Sequence, residues 1–144
     1  MDKFNYKLVT SDKELKGALE VRRQVFVDEQ GVSKDIEIDG RDGEALHMVV
    51  TDEKNIIGTA RILLFANSQA KIERMAILKP FRGRGIGREI MSFLNEELIN
   101  RQIKQVFLHA QCSVTAFYRS CGFEEIGHAF WEAGIKHIKM QRQL

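Results

Sequence analysis

Residues 82–87 read Arg82-Gly83-Arg84-Gly85-Ile86-Gly87, between an apolar run ending at Leu78 and a helical pattern opening at Ile86 or Gly87. Glycines in such a connection let backbone N–H groups turn outward and let a ligand approach closely. The following helix adds unsatisfied N–H donors and the positive end of its dipole, so the guest is an anion, most naturally phosphate. A Walker loop would need Gly-Lys-Ser/Thr, but Arg88-Glu89 follows Gly87. A dinucleotide fingerprint would need a third glycine where Arg88 stands. An Arg-Gly nucleic-acid segment is repetitive and disordered, whereas this one is single and set between periodic elements. What is left is Arg82-x-x-Gly85-x-Gly87.

Working outward, Ile90, Met91, Phe93, Leu94, Leu98 and Ile99 mark one face of a helix running to about Asn100. Upstream, Lys71–Leu78 is a strand interrupted at Lys79-Pro80. Leu46–Val50 and Ile56–Phe65 form a hairpin around Asp52-Glu53-Lys54-Asn55. Tyr6–Val9 is a short strand. Ser11–Glu14 is a capping box opening a helix with Leu15, Ala18, Leu19, Val21, Val25 and Phe26 at its apolar positions, ended by Gly31. Downstream, Val106–Leu108 is a strand, and Ser113 caps a short helix through Cys121 that Gly122 stops. Phe123–His128 and Lys136–Met140 close the chain as a strand pair. This order predicts a mixed α/β layout around one sheet. With 144 residues and no repeat or linker, the expectation is one domain over 1–144.

Composition narrows the function classes. There are 22 Lys+Arg against 20 Asp+Glu, and a net charge of +2 does not demand a nucleic-acid partner. No uncharged apolar stretch approaches the ~20 residues needed to cross a bilayer. The opening Met1-Asp2-Lys3-Phe4 predicts no secretory leader. Cys112 and Cys121 have neither metal-ligand nor framework spacing, which predicts reduced thiols, a cytoplasmic protein and no metal site. Neither has a His and an acid in a spacing that suggests an acyl-cysteine mechanism. The charges are nevertheless segregated. Residues 28–44 hold seven acids against Lys34 and Arg41, a local net of −5, while 82–88 hold Arg82, Arg84 and Arg88 with no acid. The first segment attracts a cation and the second an anion.

About thirty residues beyond the loop comes Ala116-Phe117-Tyr118-Arg119-Ser120-Cys121-Gly122-Phe123. A Tyr early in a short helix, beside a Phe that buries it, presents its phenol to a cleft. With a pKa of about 10 it stays protonated at neutral pH and can donate to a leaving thiolate of pKa about 8.5.

Arg82-x-x-Gly85-x-Gly87 resembles the pyrophosphate-binding motif of the GNAT superfamily, the acetyl-CoA-dependent N-acetyltransferases. Arg74-Met75-Ala76-Ile77-Leu78-Lys79-Pro80-Phe81 is similar to the strand and proline that lead into it. Phe117-Tyr118 with Gly122-Phe123 resembles the family's Ala-x-x-Phe-Tyr-x-x-x-Gly-Phe pattern in compressed form. Arg22-x-x-Val25-Phe26-Val27-Asp28-Glu29-Gln30, Glu37-Ile38-Asp39-x-x-Asp42, His47 and Ala133-Gly134-Ile135-x-His137-x-x-Met140 look like the YjcF-like bacterial branch. The resemblance covers essentially the whole chain. It implies a twisted sheet of six to seven strands, splayed between two central strands, with helices on both faces and the cofactor wedged into the split.

The resemblance also implies roles. Acetyl-CoA would be the acyl donor and a primary amine the acceptor, attacking the thioester directly. Backbone amides of Gly83, Arg84, Gly85, Ile86, Gly87 and Arg88 would hold the pyrophosphate, with Arg82 and Phe117 in the same set. The main chain of Met75, Ala76 and Ile77 would pair with the pantetheine arm, and one amide there would polarise the carbonyl. Tyr118 would be the general acid and Glu73 the first choice of base, with Glu29 and His47 second and His137 third. Glu29, Asp39, Asp42 and His47 would face the acceptor, the acidic segment drawing in a cationic amine. A dimer is common in the family, and a homodimer is the assembly the resemblance suggests. The alternative is a non-catalytic acyl-CoA-binding regulatory module.

Overall fold

The computed structural model describes residues 3–144; Met1 and Asp2, which open the stretch that predicts no leader, lie outside the described residues. Seven strands make one sheet: β1 (Phe4–Leu8), β2 (Leu46–Asp52), β3 (Asn55–Phe65), β4 (Gln69–Ile77), β5 (Gln105–Gln111), β6 (Glu124–Glu132) and β7 (Ile135–Gln143). Their spatial order is β1-β2-β3-β4-β5-β7-β6. All neighbours run antiparallel except β4 and β5, which are parallel. The helices are α1 (Asp12–Arg22), α2 (Lys34–Glu37), α3 (Ile86–Asn100) and α4 (Thr115–Ser120). The expected mixed α/β layout is therefore present. Among the described residues, no helix is long and apolar enough to cross a membrane.

The main core lies between α3 and the sheet. Ile86, Ile90, Met91, Leu94 and Leu98 pack with Met48, Ile62, Ile72, Leu108, Phe123 and Met140. Each such side chain contributes roughly 1.5–3 kcal/mol when fully buried. Strand alternation sends Val106, Leu108 and Ala110 of β5 into this core and turns Phe107, His109 and Gln111 to the other face. On that other face, Val21 and Val25 pack against Ile56, Ala76 and Leu78.

Two local expectations change. Ser11 caps α1, its Oγ accepting from the Glu14 N–H at 3.2 Å, while the Glu14 carboxylate accepts from the Thr10 N–H at 2.9 Å. The helix does not continue as α to Phe26, however. After Arg22 it widens into a π-helix over Arg23–Glu29, where the Gln30 N–H reaches Val25 O at 3.1 Å. Ser113 is not a cap either. It sits inside a 3₁₀ turn, Cys112–Val114, and α4 begins after it with no side-chain cap.

The feature that positions the site is the parting of β4 from β5. They pair over four rungs only, from Gln69↔Gln105 to Ile72↔Leu108. Beyond that, Glu73 stands opposite Arg61 and Ala76 opposite Thr59, so Arg74 and Met75 together face Ala60. This is a β-bulge, and Arg74 adopts a left-handed backbone at φ 52°. A bulged strand bends. Here the bend coincides with the end of β4–β5 pairing, and the sheet opens into a V.

Candidate active site

The V has the glycine loop at its open end. Gly83 and Gly85 lie at φ 78° and 79°, and a Cβ built on either would meet nothing within 4 Å. The loop's backbone is thus left-handed and open to approach, a combination only glycine supplies without strain. Gly85 is the N-cap of α3 and offers no side chain, so the N–H groups of Ile86, Gly87 and Arg88 have no intrahelical acceptor and no side-chain cap. A Cβ on Gly87 would lie 3.1 Å from Cζ of Phe117, which fixes how closely α4 approaches the first turn of α3. Uncapped N–H donors on an open backbone at a helix start are an arrangement that could hold an anion such as a phosphate.

The loop arginines are engaged with the protein. Arg82 donates from Nε to Ile77 O at 2.8 Å and, through its two terminal nitrogens, to both oxygens of Glu29 at 2.6 and 2.8 Å. This pairing holds the Glu29 carboxyl below its ordinary range. Arg84 lies over the Phe81 ring, 5.4 Å from its centroid, and Arg88 donates to Ser120 Oγ at 3.0 Å. The backbone is the part of the loop that remains available.

Deeper in the V lies a cavity of about 360 Å³ lined from both arms. From the β4 side come Phe26, Asp39, Lys71, Glu73, Arg74 and Met75; from the β5 side come His109, Gln111, Tyr118, Glu132 and His137. Tyr118 is half-buried, its ring edge-on to Phe117 at 5.1 Å and to Phe123 at 6.1 Å between centroids. Burial, with a smaller contribution from Cys121, pushes its hydroxyl up to about 12. The phenol therefore keeps its proton throughout the neutral range.

The acidic segment is not an open field of charge. Arg22 and Arg61, both fully buried, stand behind it. Arg22 donates to Glu37 Oε1 at 2.9 Å and to Asp42 Oδ1 at 2.6 Å. Arg61 donates to both oxygens of Asp39 at 2.8 Å each, to Asp42 Oδ1 at 3.0 Å, and to Glu73 Oε2 from Nε at 2.9 Å and again from Nη2. Arg74 adds Glu37 Oε2 at 2.6 Å, and Lys71 adds Glu73 Oε1 at 2.8 Å. Buried arginines require such partners, because leaving either ion unpaired is strongly destabilising.

The candidate residues therefore separate. Glu73 and Asp39 reach the cavity, but as members of the ion network. Burial alone would raise the Glu73 carboxyl, yet Lys71 and Arg61 together hold it below its ordinary range, which makes it a weak base at neutral pH. The hydrogen bonds from Arg61 likewise hold Asp39 well below the usual carboxylate range. Asp42 and His47 do not line the cavity. His47, on β2, shares a 2.9 Å hydrogen bond with Asp42 O. Glu29 serves as the partner of Arg82. His137 does line the cavity, nearly buried, with Nδ1 donating to Ile135 O at 2.7 Å.

Sequence reasoning missed His109 and Glu132. His109 Nδ1 lies 3.0 Å from Glu132 Oε2, and the imidazole stands edge-on to Phe130 at 4.9 Å. A signal was present in the strict alternation of Gln105-Val106-Phe107-Leu108-His109-Ala110-Gln111, whose odd positions share one face. With a strand drawn only over Val106–Leu108, that face had no extent.

The model of the acetyltransferase (GNAT) domain matches residues 9–144. The uncharacterized Bacillus subtilis protein YyaT is 35% identical over 144 residues, covering 98% of this chain and 97% of its own. The uncharacterized N-acetyltransferase YjcF of the same organism is 32% identical over 136 residues, covering 94% and 96%. A Lactobacillus plantarum protein of known crystal structure superposes with a TM-score of 0.93 at 26% identity, over 99% of each chain. The splayed sheet, the uncapped glycine loop and these likenesses agree: the chain belongs to the GNAT acetyltransferase family and resembles its YjcF-like branch.

Proposed function

We propose that the protein transfers the acetyl group of acetyl-CoA to a primary amine by direct attack, with Tyr118 as the acid that serves the departing thiolate. The observation that carries this reading is the β4–β5 split, which runs from an uncapped anion cradle at residues 83–88 to a cavity walled by Tyr118. The pyrophosphate sits on the loop amides, and the pantetheine lies along the unpaired edge of Met75–Ile77, as an added strand would. An N–H on that edge polarises the thioester carbonyl. Attack forms a C–N bond, collapse of the tetrahedral centre breaks C–S, and the sulfur's negative charge meets the Tyr118 hydroxyl. With its proton held more firmly than a free thiol holds its own, Tyr118 stabilises the thiolate first as a hydrogen-bond donor.

The acceptor enters from the cavity. Phe26, Val32, Ile36, Val114 and Ile135 supply apolar wall for its body. Glu73, bound by Lys71 at one oxygen and by Arg61 at the other, is in this scheme a fixed part of the cavity wall and not the group that takes the proton. Carboxylates neutralised by arginine give little pull on a polycation, so the acceptor favoured is one amine on a partly apolar body.

Incubating the protein with acetyl-CoA and 2-phenylethylamine, spermidine, glucosamine or L-lysine, and following free thiol, tests this. The expected result is amine-dependent thiol release, with Tyr118→Phe lowering kcat 10²-fold or more and leaving the KM for acetyl-CoA unchanged. The commitment of Glu73 to Arg61 and Lys71 favours one second reading, an acyl-CoA-binding module without turnover. Thermal stabilisation by acetyl-CoA with no thiol release from any amine would support that instead.

A further inference from the structure

We propose that His109 is the general base that removes the acceptor's ammonium proton, and that Glu132 is the positioning residue that holds its ring for the task. The proposal rests on the acetyltransferase reading above.

Place is the first argument. The last paired rungs of the central strands are Lys71↔Phe107 and Ile72↔Leu108. Carrying that register one step further sets Glu73 and His109 at the first open rung, on the face turned away from α3. A cofactor with its phosphates on loop 83–88 and its arm along Ile77 to Met75 brings its thioester toward that rung. Two titratable groups therefore flank the reacting centre.

Only one of them is free to act. Glu73 has Oε1 on Lys71 and Oε2 on Arg61. His109 has a single engagement, Nδ1 to Glu132 Oε2 at 3.0 Å, and Nε2 has no partner among the described residues. A carboxylate at Nδ1 makes that nitrogen the donor, so Nε2 carries the lone pair. The charged and titratable groups facing the ring are Lys71 from β4, Glu132 from β6, and His137 and Lys139 from β7, Lys139 standing opposite His109 in the strand register with its Nζ over the Phe107 ring; Phe130 and Phe107 pack against the imidazole. Burial, Lys71 and His137 lower its pKa against the opposing pull of Glu132, and the outcome is below the ordinary histidine value. The ring is thus neutral at pH 7. His137 is less suited, being nearly buried with its Nδ1 on Ile135 O and its ring stacked on Phe130.

The step balances simply. The N–H bond of the acceptor ammonium breaks, its proton goes to Nε2, and the freed lone pair attacks the thioester carbon. Attack leaves a second excess proton on the nitrogen, and as the C–S bond breaks that proton passes to the departing CoA sulfur by way of the Tyr118 hydroxyl, giving amide and CoA thiol. The imidazolium faces Glu132 and returns the first proton to solvent.

The test uses the purified protein, acetyl-CoA and whichever of the four amines above gives the fastest thiol release. His109→Gln is expected to lower kcat at pH 7 by about 10²–10³-fold with little change in the KM for acetyl-CoA. The rising limb of the kcat–pH profile is expected to move to lower pH in Glu132→Gln and to higher pH in Lys71→Met, as loss of each neighbour's influence demands. A purely structural role for His109 would not shift that limb in opposite directions. Should His109→Gln fail to fold, NMR titration of the wild-type imidazole decides: a His109 pKa below about 6.5 is expected, and one above 7 overturns the proposal. A working wild type with an equally fast, folded His109→Gln overturns this proposal alone. A wild type silent with every amine overturns the acetyltransferase reading as well.

Discussion

The two arms of the split treat polar side chains in opposite ways. On the β4 arm, Arg22, Arg61 and Arg74 engage Glu37, Asp39, Asp42 and Glu73 in a continuous network with two guanidinium groups at zero exposure. On the β5 arm, Phe107, His109, Phe130 and His137 follow one another as a chain of rings, joined by one side-chain pair, His109 with Glu132. Each buried charge on the first arm is saturated by another, which fixes the backbone but leaves little basicity. The second arm leaves Nε2 of His109, Nε2 of His137 and the Tyr118 hydroxyl without a hydrogen-bond partner among the described residues. Density of ionisable residues and unspent hydrogen-bonding capacity therefore lie on opposite arms of this cleft.

The largest test of that contrast removes the hub of the first arm. Arg61→Met strands Asp39 and Glu73 without their main partner, and one-sided loss of a buried pair costs about 3–5 kcal/mol. Urea or thermal unfolding should show a loss of that size, whereas His109→Gln should unfold within about 1 kcal/mol of the wild type. Comparable losses from the two substitutions would erase the distinction between the arms.

A smaller effect is expected at the cradle. Gly85→Ala forces an L side chain to φ 79°, at a cost of about 1–2 kcal/mol. If acetyl-CoA binding depends on that backbone, calorimetric titration should give about tenfold weaker affinity. Unchanged affinity would move the phosphate site off the loop.

The gentlest perturbation is acid. Asp39, Asp42 and Glu73 all lie below their ordinary pKa in the folded protein, the arginines and Lys71 outweighing burial at Asp42 and Glu73. Groups depressed on folding stabilise fully above their unfolded values of about 3.9–4.3, and that stabilisation is lost as pH falls through them toward the folded values. Tm should stay level from pH 8 to 5 and decline only below about pH 4. A decline already under way at pH 6 would point to the histidines of the other arm instead.

How much of this was legible in the sequence depended on how local each feature is. The glycine loop and Phe117-Tyr118 were readable because turn geometry and a short helix are specified within a few residues. The hairpin of β2 and β3 emerged within two residues of its expected bounds for the same reason. The acidic segment was misjudged as free charge because its partners are distant: Asp39 meets Arg61 22 positions away, and Glu37 meets Arg74 37 positions away. Charge counted along a contiguous window contains no record of such pairings. Arg22 was hidden differently, a buried cation inside an apolar helical stripe where a snorkelling side chain would be the ordinary outcome. His109 was lost when its strand was drawn too short to show a face.

The π-helix at Arg23–Glu29 carries a consequence for how this stretch tolerates change in length. Successive residues of an α-helix are rotated by about 100°. A π-wound segment holds more residues per turn, so it spends one surplus residue on the arc that an α-helix covers without it. Removing one residue between Arg23 and Glu29 would let the segment relax to ordinary winding with nearly the same total rotation. Glu29 would then still face Arg82, and Gln30 would still face Gln111 across the split, now 3.0 Å away. A single-codon deletion is thus a change of length this stretch can absorb, whereas the same deletion within α1 would turn everything after it by about 100°.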